Sequence, residues 1–248
     1  MLIHFSILKV HYLGEDGPRT MKYKPTNPLG ALLLLLVFAC ISSAALAQTS
    51  PSEPEGQDLI ERLRQGGLVV FFRHADTTGM TCDRLYRVGQ RVGQRNISED
   101  GKLQSGQIGE MLDELEIPIQ YPVLAGPVFR ARDTAELAFG VELVELTDSL
   151  LADDYAGNYG VDWVISEHRR LFSEAPEPGV NRILVGHRTP AIIALSGQVQ
   201  PSEFPEGAAI VMIPQDGGAD GGVKVLGVIS FIPPPSPTVS RCIMHPQG

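Results

Sequence analysis

Cysteine is scarce in this chain: three in 248 residues, Cys40, Cys82 and Cys242. That is too few for a disulfide-dense scaffold or a thiolate metal cluster. Histidine is also sparse, six in all. No histidine stands in a metal-ligand spacing, so neither a metal nor a cofactor is expected. Basic charge is in deficit, with 20 Lys and Arg against 29 Asp and Glu, a net charge of −9. Setting aside the first 47 residues leaves 16 basic and 27 acidic side chains, a net of −11. Such a surface repels nucleic acid and anionic lipid. A site that seeks an anion then has to be a local basic pocket. Nor is any apolar run long enough for a comfortable membrane span: Ala31 to Ile41 falls short of about 20 residues. No internal repeat is present and no linker breaks Gly56 to Phe231, which favours one domain over two small ones.

The short apolar run has a different use. Lys22 and Lys24 precede it, Ser42 and Ser43 follow it, and Ala45-Leu46-Ala47 ends it as an A-x-A signal. This reads as a secretory signal peptide cut after Ala47, with Met21 a plausible natural start. Export, to a periplasm or to the medium, is therefore expected, with no membrane attachment once the signal is removed. Cleavage leaves Cys82 and Cys242, and two cysteines in an oxidising space are candidates to pair.

Along the expected mature chain, residues 48–57 read as a flexible lead-in, residues 58–232 as the folded domain and residues 233–248 as a Pro-rich tail. Strands are expected near residues 68–72, 121–125, 141–146, 182–185, 208–213 and 223–231. Helices are expected near residues 58–65, 98–115, 128–139 and 161–173 and from Pro190 onward. Strands alternating with helices predict an α/β three-layer sandwich: a mostly parallel central sheet flanked by helices, with an antiparallel strand at the C-terminal end. Residues 77–97 form a long polar, Arg-rich loop, and loops of that length in compact domains are more often functional than filler. Arg84, Arg87, Arg91 and Arg95 in it have near-helical spacing, as one strip facing a ligand or as a solvated face. His168 lies between charged residues on an expected solvated helix face, while Trp163, Leu171 and Phe172 read as core.

Five apolar residues, Leu68 to Phe72, run straight into Arg73-His74. Such a run reads as a strand buried on both faces. Two more junctions share its character. One leads through Gly126-Pro127 to Arg130 at a helix start, and another ends in His187-Arg188. Parallel strands bring their C-terminal ends to one edge, where ligands bind. Two arginines and two histidines thus converge there. Guanidinium forks bind phosphate oxygens bidentately, so the constellation fits a tetrahedral dianion.

Arg73-His74-Ala75, the segment Arg130 to Glu136 after Gly-Pro, and Val185-Gly186-His187 resemble the motifs of the histidine phosphatase (phosphoglycerate mutase-like) superfamily. The similarity runs in order from about Leu68 to Pro214, with Gln94 to Gly101 and Glu206-Gly207 resembling an exported bacterial branch. The resemblance implies a phosphomonoesterase in which His74 is the nucleophile and forms a phosphohistidine, while Arg73, Arg130 and His187 hold the phosphoryl oxygens. It also places Thr77 and Arg95 near the phosphate. For the general acid it nominates Asp153, with Asp154 and Glu206 as rivals. The substrate is then a small phosphorylated molecule or a phosphoprotein. Two other readings stay open: a non-catalytic phospho-ligand binding protein with a degenerate acid, and a phosphoryl-transfer mutase. Gly126 stands where the family often has Ser.

Overall fold

The computed structural model describes residues 48–78, 82–215 and 222–235. The expected signal segment and Cys242 lie outside the described residues. The elements in chain order are β1 (Gln48–Thr49), α1 (Pro54–Gln65), β2 (Val69–Arg73), α2 (Glu99–Glu114), β3 (Ile119–Ala125), α3 (Phe129–Phe139), β4 (Val144–Leu146), α4 (Val161–Ser173), β5 (Asn181–Gly186), α5 (Arg188–Ala194), β6 (Ala209–Pro214) and β7 (Val223–Ile229). Short 3₁₀ turns occupy Val141–Leu143, Asp148–Leu150, Asp153–Tyr155 and Pro201–Glu203.

The seven strands form one sheet in the order β1-β7-β6-β2-β5-β3-β4. Only β6 runs against the others: it pairs antiparallel with β2 and with β7, while the remaining neighbours are parallel. Every residue of β2 is buried. Because successive side chains point to opposite faces, Val70 and Phe72 join one core with Leu59, Leu63, Ile108, Leu112 and Ala135 of α1, α2 and α3. Val69 and Phe71 join a second with Ile165, Phe172, Ala191 and Leu195, on and beside α4 and α5. This is the expected three-layer sandwich.

The register sets the site. Arg73 of β2 lies beside Gly186 of β5, and Ala125 of β3 lies beside Val185. The C-terminal ends of three central parallel strands thus finish within a residue of one another on a single edge. At that edge α3 begins without a side-chain cap of its own, and the Gln94 side chain accepts the Phe129 N–H at 3.2 Å. The 77–97 loop therefore docks on the helix that carries Arg130. Gly126 is required by a close approach: a Cβ there would sit 2.3 Å from the Leu150 carbonyl oxygen, too near for any larger residue.

Several local expectations change. Gln48 and Thr49, assigned by composition to a lead-in, pair with β7, and α1 begins at Pro54. The strand expected at 141–146 is a 3₁₀ turn followed by three strand residues. The arginine strip of residues 84–95 is not a helix: Arg91 pairs with Asp133, and Arg95 turns towards the strand ends. His168 is a correction. It is fully buried, its Nδ1 2.8 Å from the Val164 carbonyl oxygen and its ring edge-on to Phe71 and Phe172. Burial pushes its imidazole down to about 4, so it is held neutral.

Candidate active site

Arg73, His74, Arg130 and His187 are all buried and line one cavity of about 910 Å³ at the C-terminal edge of the sheet. Backbone bonds fix the first pair: Arg73 N–H donates to the Ala208 carbonyl and His74 N–H to that of Gly186, each at 3.0 Å. The next residues are pinned by side chains. Ala75 N–H donates to Thr134 Oγ1 at 2.9 Å and Asp76 N–H to Gln104 Oε1 at 3.0 Å. A turn held by one strand, the residue before another and two helices leaves its side chains little freedom, which is the condition for preorganised binding.

His74 Nδ1 lies 2.9 Å from the Ala75 carbonyl oxygen. A carbonyl only accepts, so Nδ1 carries the proton and Nε2 keeps the lone pair. Burial holds this imidazole well below its ordinary value, and the cations Arg73 and Arg130 push it further in the same direction. Both effects favour the neutral ring. His187, its ring centroid 5.5 Å from that of His74, is likewise held well below its ordinary value, by burial first and then by Arg130.

Each arginine has a buried counter-charge. Arg73 donates through Nη2 to Glu206 Oε1 at 2.8 Å and through Nη1 to the Phe204 carbonyl at 3.0 Å. Burial lowers its guanidinium to about 9, with Glu206 pulling the other way, so it stays charged at neutral pH. Glu206 also accepts from the Thr77 N–H at 3.0 Å and the Thr77 hydroxyl at 3.2 Å, and Arg95 Nη2 approaches it at 3.7 Å. Arg130 donates through Nη1 to Asp83 Oδ2 at 2.8 Å. Four buried side-chain polar atoms among the described residues have no partner, and three belong here: Arg73 Nε, Arg130 Nε and His187 Nε2. The two guanidinium Nε atoms are donors, and buried donors without acceptors are costly, as expected of a site shaped for an anion.

The solved structures to which this chain is similar include phosphatases. The protein histidine phosphatase SixA complexed with tungstate is 19% identical, with a TM-score of 0.45 over 66% of this chain and 96% of that one. A mycobacterial glucosyl-3-phosphoglycerate phosphatase is 17% identical, with a TM-score of 0.44 over 67% of this chain and 99% of that one. No family model and no curated protein matches the chain.

The structure brings most of the expected residues together. Asp153 and Asp154 both line the cavity, on the short turn Asp153–Tyr155. They differ in environment. Asp154 keeps its outer side in solvent, yet the atoms packed around it at the cavity wall push its carboxyl up to about 6. Arg130 opposes that rise, while the like charges of Asp153 and Asp83 add to it. Glu206 does not line the cavity and serves as the counter-ion of Arg73, with both oxygens occupied. Thr77 contacts Glu206 rather than lining the cavity, whereas Arg95 lines it. Arg188 lines it as well. Cys82 is disulfide-bonded, and Cys242, the partner expected for it, lies outside the described residues. Among the described residues, no group of three His, Cys, Asp or Glu is placed to hold a metal ion.

Sequence reasoning missed Asp83 and Tyr155. The Asp83 side chain is only 3% exposed. It accepts from Arg130, from the Tyr155 hydroxyl at 2.9 Å and from the Arg95 N–H. Asp83 lies in a loop without periodicity, 47 positions from Arg130, and nothing in the sequence signals the pairing.

Proposed function

We propose that the chain is a phosphomonoesterase acting through a phosphohistidine on His74. The observation that carries this reading is the His74 tautomer. Its Nδ1 proton is committed to the Ala75 carbonyl, so the neutral ring offers Nε2 as a nucleophile in a cavity walled by Arg73, Arg130 and His187. Nε2 attacks phosphorus and the ester P–O bond breaks. The two arginines and His187 hold the equatorial oxygens, where charge is spread in the transition state. The leaving alkoxide takes the Asp154 proton. Water then attacks the phosphohistidine, Asp154 takes a proton from it, the P–N bond breaks and orthophosphate leaves. Each step uses groups of this chain and water alone. A cavity of about 910 Å³ admits a small phosphorylated molecule or a phosphorylated side chain.

We take Asp154 as the donor in place of its neighbour Asp153, because its carboxyl, raised to about 6 at the cavity wall, remains partly protonated near neutral pH. The sign follows from its role. A donor must be protonated, so kcat/KM for an alkyl phosphate falls as pH rises through about 6. Asp154→Asn should lower kcat for alkyl phosphates about 10²–10³-fold and that for an aryl phosphate much less, since a phenolate needs little protonation. Asp153→Asn should leave both near wild type. Equal losses on the two esters in Asp154→Asn would remove it from the role.

Export is part of the same proposal. The run Ala31–Ile41, the A-x-A motif before Gln48 and a disulfide at Cys82 support an oxidising compartment. N-terminal sequencing of the secreted protein should begin at Gln48, and a start upstream of it would exclude cleavage there.

A further inference from the structure

Asp83 is a buried carboxylate that the proposed reaction does not use. It belongs to a loop outside the sheet, and it touches three separate parts of the site. It pairs with Arg130 Nη1 at 2.8 Å, from α3. It accepts the Tyr155 hydroxyl at 2.9 Å, from the turn Asp153–Tyr155. It also accepts the Arg95 backbone N–H, which places the next cavity-lining arginine. The Arg130 guanidinium lies 5.7 Å over the Tyr155 ring and closes the triangle. A buried ion pair by itself contributes little to stability and persists where further hydrogen bonds satisfy it. Three donors from three elements onto one carboxylate do that, and they also fix those elements relative to each other.

We propose that Asp83 is a positioning residue that sets the Arg130 arm of the phosphate clamp and the turn carrying Asp154 as one unit. The proposal rests on the phosphomonoesterase reading. Tyr155 follows Asp154 directly, so a displacement of its ring moves the acid. The charges facing Asp154 are Arg130 from α3, Asp83 from the 82–95 loop and Asp153 beside it, with the uncharged Tyr86 phenol close by. Removing the Asp83 charge takes away one contribution that keeps the Asp154 proton on.

The test uses the full chain with Asp83→Asn and Tyr155→Phe. It reads orthophosphate binding by calorimetry and kcat and KM for an aryl and an alkyl phosphate across pH. Asp83→Asn should weaken orthophosphate about tenfold, from loss of a charged hydrogen bond to the clamp. It should lower kcat/KM about a hundredfold and move the alkaline limb for the alkyl ester to lower pH. Tyr155→Phe should leave orthophosphate affinity unchanged and lower kcat for the alkyl ester about tenfold. A folded Asp83→Asn protein with wild-type orthophosphate affinity and an unmoved limb overturns the proposal. Should Asp83→Asn not fold, Tyr155→Phe with wild-type kcat on both esters overturns it. A wild-type protein that binds orthophosphate but hydrolyses neither ester sinks the phosphatase reading alone, and the clamp is then judged on the affinity of Asp83→Asn.

Discussion

Replacing His74 by alanine should lower turnover of any phosphate ester by about 10⁴-fold or more, because the covalent route disappears with its nucleophile. The clamp stays. Arg73 is held by Glu206 and Phe204, and Arg130 by Asp83, none of them through His74. Orthophosphate should therefore still bind within about tenfold of wild type, losing at most one neutral contact. The chemical signature is equally specific. Wild type quenched in alkali during turnover should retain phosphate in an acid-labile bond, as a phosphoramidate does, and His74→Ala should retain none. Steady-state rates with a labelled ester give both readouts. Residual activity within tenfold of wild type, or label on the alanine variant, would falsify the assignment of His74.

The second large effect is on stability. Glu206→Ala leaves the Arg73 guanidinium, itself buried, without its counter-charge and removes the acceptor for the Thr77 N–H. Breaking a buried pair from one side costs about 3–5 kcal/mol, a large part of the total stability of a domain this size. Urea unfolding followed by circular dichroism should show that loss as a lower midpoint with an unchanged slope. Orthophosphate should restore part of it, since a dianion bound beside Arg73 supplies the missing charge and binds only the folded state. Glu206→Gln keeps an oxygen for the hydrogen bonds and should lose less. An unchanged midpoint in Glu206→Ala would show that Arg73 does not depend on this carboxylate.

These two residues show how differently parts of the site can be read from the chain. Arg73 and His74 stand out because five apolar residues precede them, and a strand buried on both faces is a strong pattern. Arg130 and His187 follow shorter versions of the same signal. Glu206 lies after α5 in a segment with no periodicity, and among the candidate acids it was the third. The structure gives it another task, and the reason is spatial: antiparallel pairing of β6 with β2 returns the chain beside Arg73. His168 was legible and was misread. Val164, Ile165, His168, Leu171 and Phe172 recur at helical spacing and are all buried, so the stripe includes the histidine despite its charged neighbours.

By itself, then, the sequence determined the alternation of strands and helices, the buried strand β2 and the four polar residues at three strand ends. These follow from local pattern, because burial imposes period 2 or 3.6 on the chain wherever an element packs. Only the tertiary structure decided which carboxylates neutralise the two arginines and how the 77–97 loop reaches the helix that bears Arg130. Those choices depend on distances between residues tens to more than a hundred positions apart. Electrostatic coupling and desolvation act through space, and they leave no period in the sequence.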